Sequence, residues 1–183
     1  MSPRKHERVL GIYPTRSGFA FAVVQLDHGL IDWGEAELSS NSDEVFVERI
    51  LAQIYRSLPA AVAVEDVLNT LRERSARRRI SLITSYLGER SVELRAVPRT
   101  LIVSSLGMND AATKQQIADQ LCIRFPEIAH LRPRTFAWKK DRRMNLFDAI
   151  ALAVAGQAKR MPKRRRPPSE PPEGTRRNVS RSD

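Results

Sequence analysis

Residues 9–24 constrain the fold more than any other stretch. They read Val9-Leu10-Gly11-Ile12-Tyr13-Pro14-Thr15-Arg16-Ser17-Gly18-Phe19-Ala20-Phe21-Ala22-Val23-Val24, an apolar run, a short turn and a second apolar run. Two such runs separated by a Pro/Gly-punctuated turn pair back on each other as antiparallel strands. Strands are predicted over about 8–13 and 18–26. Asp27-His28-Gly29 is a hairpin signal, and a third strand follows from Leu30 to about Leu38. Three antiparallel strands at the start of a chain make a sheet that other elements must cover.

Those elements follow in order. Asn41-Ser42-Asp43-Glu44 is an N-cap with an acid close behind, and Phe46, Ile50 and Ile54 recur at helical spacing, predicting a helix over 43–57 that Pro59 ends. Ala61-Val62-Ala63-Val64-Glu65 is apolar without alternation, as in a central strand covered on both faces. A long helix is predicted over about 68–88 and a strand over Val92–Val97, closed by Pro98. Asp110 is read as the cap of a helix over about 111–125, 132–141 as an irregular basic connection, and 146–158 as a final helix. Together these give a mixed sheet with helices on its faces.

The net charge is +10, and it is uneven. From Lys159 onward nine bases face three acids, so +6 lies in a stretch of Pro, Arg, Ser, Glu and Gly with almost no large apolar residues. Such a segment buries too little to offset its ordering entropy, so 159–183 is expected to be a disordered basic tail, and 1–7 a loose N-terminus. A basic surplus attracts polyanions, nucleic acid first among them. The single cysteine, Cys122, suits a reducing compartment and lies on the apolar side of its helix, which fits a small core residue. No apolar run nears the roughly 20 residues a bilayer requires, and the first residues are charged rather than signal-like, so a cytoplasmic protein without a membrane partner is expected.

Three segments taken together carry a resemblance: the opening strand-turn-strand, Ala63-Val64-Glu65, and Asn145-Leu146-Phe147-Asp148-Ala149-Ile150-Ala151-Leu152-Ala153. In this order and spacing they resemble the RuvC branch of the RNase H-like superfamily, the Holliday-junction resolvases, over about residues 8–158. The resemblance implies one α/β domain with a mixed five-stranded sheet, its first three strands antiparallel, and helices on both faces. It also implies DNA as partner, a homodimer, and a cleft where carboxylates hold two magnesium ions that cut phosphodiesters. In that family strand one ends in Gly-Ile-Asp-Pro-Gly; here Tyr13 stands in the aspartate's place. Glu65 matches the strand-four acid. Asn145 stands where the first acid of the last helix belongs, and Asp148 is kept. Lys114, after Leu106-Gly107-Met108-Asn109, looks like the lysine that flanks the family's active site. Leu68 takes the place of an aromatic that stacks on junction bases, and leucine has no π-face for that.

Each position also has a plainer reading. Asn145 and Asp148 have the spacing of a helix cap and its third residue. Glu65 could pair with an arginine, because a carboxylate at the end of an apolar strand needs a counter-charge or water. Tyr13 could pack over the site with its hydroxyl bonded to Glu65 or Asp148. Arg72, Arg74, Arg77, Arg78 and Arg79 could meet phosphates or form a solvated helix face, and Lys139, Lys140, Arg142 and Arg143 with Trp138 make a second basic patch.

Replacing two carboxylates by an amide and a protonated phenol weakens a cage for two dications, leaving Glu65 and Asp148 as weak magnesium ligands at most. The first expectation is therefore a RuvC-like protein that binds branched or duplex DNA with cleavage weak or lost. The alternative is an active magnesium-dependent junction endonuclease with an altered ligand set drawn from Glu65, Asp148, Asn145 and Lys114. A third is a non-catalytic scaffold with a protein partner in a recombination or mobile-element complex.

Overall fold

The computed structural model describes residues 7–66, 74–88, 92–134 and 141–158. The predicted N-terminal segment (apart from Glu7), the basic tail, Leu68, Arg72, Trp138, Lys139 and Lys140 lie outside these residues. The strands are β1 (Arg8–Pro14), β2 (Gly18–Gln25), β3 (Gly29–Glu37), β4 (Ala61–Glu65) and β5 (Glu93–Val97). The helices are α1 (Asp43–Ser57), α2 (Arg74–Gly88), α3 (Arg99–Ser105), α4 (Lys114–Arg124) and α5 (Arg143–Ala158), with a 3-10 segment at Pro126–Leu131. One mixed sheet of order β3-β2-β1-β4-β5 results, antiparallel across β1, β2 and β3 and parallel from β1 through β4 to β5. This is the expected fold class. Among the described residues no helix is long and apolar enough to cross a membrane.

Three expectations need correction. α3 was not foreseen; Pro98 both closes β5 and caps this short helix. α4 begins at Lys114 rather than near residue 111, and its cap is Thr113, not Asp110. The Thr113 hydroxyl accepts from Gln116 N–H while the Gln116 side chain accepts from Thr113 N–H, a reciprocal capping box. α5 starts at Arg143, so Asn145 is already helical and does not cap it. The Asp141 carboxylate does that work, accepting from Arg143 N–H and Arg134 N–H, each at 3.0 Å. The Arg134 bond chiefly, with the Arg143 bond and the two guanidinium charges, holds the Asp141 carboxyl below its ordinary pKa.

Strand alternation sorts the core into two layers. Leu10, Ile12, Phe19, Phe21, Val62 and Val64 meet α1 and α2 on one face. Val9, Tyr13, Ala20, Ala22, Ala61 and Ala63 meet α5, α4 and the 3-10 segment on the other. α5 is apolar on all sides because it runs through the middle of that second layer, buried from Ala149 to Gly156. It lies close on the sheet because small residues meet there. A Cβ on Gly11 would come 2.2 Å from the Ala149 carbonyl oxygen, and one on Gly156 would come 2.7 Å from Ala63 Cβ. Buried Arg95 ties the far end together, donating to the Gly156 carbonyl at 2.8 Å, Glu7 at 2.8 Å and Glu93 at 2.7 Å.

Candidate functional site

The parallel pairing of β1 with β4 sets Val9 beside Ala61 and Gly11 beside Ala63. Continued by two residues, that register brings Tyr13 and Glu65 abreast at the same end of the sheet. Alternation keeps both on the α5 face, since Ala61 and Ala63 pack there, and sends Asp66 to the other. Asp148 lies in the first half of α5, the helix laid over these strands. Sequence-distant residues Tyr13, Glu65, Asp148 and Lys114 thus belong to one corner of the fold.

Lys114 is the residue that joins this corner. Its ammonium lies 2.6 Å from Asp148 Oδ2, donates to the Tyr13 hydroxyl at 3.3 Å, and sits 5.3 Å from the Tyr13 ring centroid. A cation at the first residue of a helix opposes the helix dipole, so this lysine owes its place to its partners rather than to helix preference. Burial, the largest single influence, would lower the Lys114 pKa. The Asp148 charge, Tyr13 and the hydrogen bonds to both outweigh it and raise the value overall. Arg99 donates to the Ala112 carbonyl and so fixes the loop that delivers Lys114. The Tyr13 hydroxyl, expected at Glu65 or Asp148, thus shares the Lys114 ammonium with Asp148.

Asn145 sits one helical turn before Asp148, and lines an open groove of about 520 Å³ with the Thr15–Ser17 turn, the end of β3 and Arg142. Tyr13 is buried, only 8% exposed, and part of the apolar layer. Among the described residues no three His, Cys, Asp or Glu side chains come together as a metal cage. The donors at this corner are two carboxylates, one already bound to an ammonium, plus a phenol and an amide. That set does not match the four-carboxylate cage that the resemblance implies for a pair of magnesium ions.

The arginines of α2 divide. Arg74 and Arg77 are exposed, while Arg78 pairs with Asp43 at the start of α1. Arg79 turns inward, 7% exposed, and donates to the carbonyls of Thr15 and Gly18, the latter at 3.1 Å. Its guanidinium also reaches Asn41 Oδ1 at 3.5 Å and lies 4.9 Å from the Phe46 ring centroid. Arg79 is thus committed to the protein's own backbone and is not placed to meet phosphates, contrary to its predicted role. Its position four residues before buried Ile83 was the signal for this. Arg142 reaches out with 86% exposure, 4.0 Å from Glu37, and Arg143 stays near Asp141 at 3.5 Å. Arg16, on the β1–β2 turn, was not singled out from sequence, yet it is exposed beside the groove.

No protein-family model matches the chain, and no curated protein matches it. Among solved structures it is similar to RuvC of Thermus thermophilus, with a TM-score of 0.58 and 21% identity over 81% of this chain and 92% of that one. The T. thermophilus RuvC complex with a Holliday junction substrate gives a TM-score of 0.56 and 22% identity over 82% of this chain and 92% of that one. The Fowlpox virus resolvase in complex with substrate Holliday junction DNA gives 0.55 and 12% identity over 82% of this chain and 98% of that one. With the sheet order and the central α5 already described, these likenesses show that the chain has the RNase H-like fold in its RuvC-like form.

Proposed function

We propose that this protein binds branched or duplex DNA at the cleft formed by β1, β4, α4 and α5, and that two-metal cleavage there is weak or lost. The Lys114–Asp148 contact at 2.6 Å carries the proposal. An acid that would have to hold a dication is already neutralised by a monovalent cation belonging to the protein. Magnesium would have to displace that ammonium and then bind with Glu65 and Asp148 as the only anionic ligands of the expected four. Packing of Tyr13 into the apolar layer adds bulk at the position of the missing acid.

DNA as partner is supported by two observations. The similar structures of T. thermophilus and Fowlpox virus are solved with Holliday junctions, and this chain carries a net charge of +10. A homodimer belongs to the same proposal as an expectation from the resemblance, while a protein partner in a recombination or mobile-element complex belongs to the alternative scaffold reading. Fluorescence anisotropy with a labelled four-way junction and a matched duplex, from low to moderate salt, tests the binding. Affinity that falls steeply with salt is the expected result. Undetectable binding even at low salt would overturn it in favour of a scaffold role.

A further inference from the structure

Two open grooves meet at the turn between β1 and β2. The first, of about 520 Å³, runs from that turn along the end of β3 to Arg142 and Asn145 at the start of α5. The second, of about 470 Å³, runs the other way to Arg74, Ser75 and Arg78 on α2. Arg16 and Asn41 line both, so the two are arms of one trough with Arg16 on the shared wall.

That shared wall is held stiffly. Buried Arg79 donates to the carbonyls of Thr15 and Gly18, on either side of Arg16, and to the Asn41 side chain, while its guanidinium lies over Phe46. Thr15 N–H donates to the Gly18 carbonyl at 2.9 Å, closing the turn from within. Taking a guanidinium out of water is costly, and burial does pull the Arg79 pKa down. The return is a turn whose outward residue cannot swing far. Stiff presentation of this kind lowers the ordering entropy a ligand must overcome.

The trough's charge selects the ligand. Arg16, Arg74, Arg78 and Arg142 line it against Glu35, Glu37 and Asp43, and Asp43 is already paired with Arg78. Among the described residues neither Arg16 nor Arg74 has an ion-pair partner. Planar guanidinium forks match phosphate oxygens, and each arm alone has the volume of a small-ligand cleft. Joined end to end and open to solvent, the arms suit a polymer better than a metabolite.

We propose that this trough seats the phosphodiester backbone of a DNA strand running past the Asn145 end of the cleft, with Arg16 as the phosphate contact common to both arms. The inference rests on the DNA-binding function proposed above and assigns the track along which that DNA lies. Arg79 is then a positioning residue rather than a contact.

The test is anisotropy of the full chain on a four-way junction across a salt series, comparing the native protein with Arg16→Glu, Arg142→Glu and the double variant. Each single change should weaken binding roughly tenfold at about 0.1 M salt and lower the salt slope by about one. The thermal midpoint of Arg16→Glu should stay unchanged, since that side chain is exposed, whereas Arg142→Glu also sets an acid beside Glu35 and Glu37 and should lower its midpoint. Arg16→Lys should restore most of the affinity by keeping the charge. Native affinity in Arg16→Glu and in the double variant would overturn the trough while leaving DNA binding intact. Failure of the native protein to bind any DNA would overturn the DNA-binding function itself.

Discussion

The Lys114 ammonium lies 2.6 Å from the Asp148 carboxylate, linking two residues on different helices and 34 positions apart in sequence. This ion pair occupies the corner where Glu65 and Tyr13 end their strands. Its consequences for stability and for metal binding can be separated.

Lys114→Met removes the cation and leaves Asp148, 18% exposed at its side chain, without that partner. A loss of roughly 1–3 kcal/mol is expected in urea unfolding at neutral pH. Asp148→Asn should cost stability as well, and the double variant should cost less than the sum of the singles. Strict additivity would mean the two groups do not interact.

Tyr13→Asp combined with Asn145→Asp returns four carboxylates to the cleft. The double variant should bind manganese roughly 10- to 100-fold more tightly than the native protein, the scale on which metal sites respond to supporting groups. Electron paramagnetic resonance of free manganese reads this directly. Equal affinity in both proteins would show that Lys114, or the backbone, closes the site whatever the acids.

Gly11→Ala sets a methyl against the Ala149 carbonyl oxygen at 2.2 Å and the Ala153 nitrogen at 2.7 Å. Both obstacles are backbone and cannot rotate away, so α5 must shift off β1. A loss of roughly 1–3 kcal/mol is expected. Gly88→Ala, where an added Cβ meets nothing within 4 Å, serves as the control and should show no such loss.

Glu35 sets a pH dependence. Burial chiefly, then Glu37 and Asp141, raise its carboxyl above the ordinary 4.5, and Arg142 opposes them. A carboxyl raised by folding carries no penalty below the unfolded value and an increasing one as pH climbs through the folded value. The native protein should therefore lose stability with rising pH across that window, and Glu35→Gln should lose less. Equal slopes in the two proteins would mean that Glu35 is solvated as in the unfolded chain.

Much of this fold was legible locally. α1 falls on its predicted bounds because Ser42, Phe46, Ile50 and Ile54 encode a cap and a buried stripe within a few turns. β1 to β4 were equally plain from apolar runs between turn residues. α3 was hidden because seven residues behind a proline give too few turns for a periodic signal. The start of α4 is ambiguous in sequence, since Asp110 competes as a cap with the Thr113 and Gln116 capping box that the fold uses.

The candidate site was legible in its identities and not in its contacts. Tyr13, Glu65, Asn145, Asp148 and Lys114 stand out by position and type. That an ammonium would bind Asp148 depends on how α4 packs beside α5, which no local pattern encodes. The arginine run looked uniform, yet helical phase turns Arg79 inward while Arg78 and Arg74 face out. Arg16 carries no local sequence signal, because its place comes from two grooves meeting at one turn.

Incubation of the native protein with a labelled four-way junction, in magnesium and in manganese with Glu65→Gln alongside, tests most directly whether DNA binding here is separated from cleavage. The expected result is a retarded junction with no incision that depends on Glu65. Specific symmetric nicks that vanish in Glu65→Gln would contradict it.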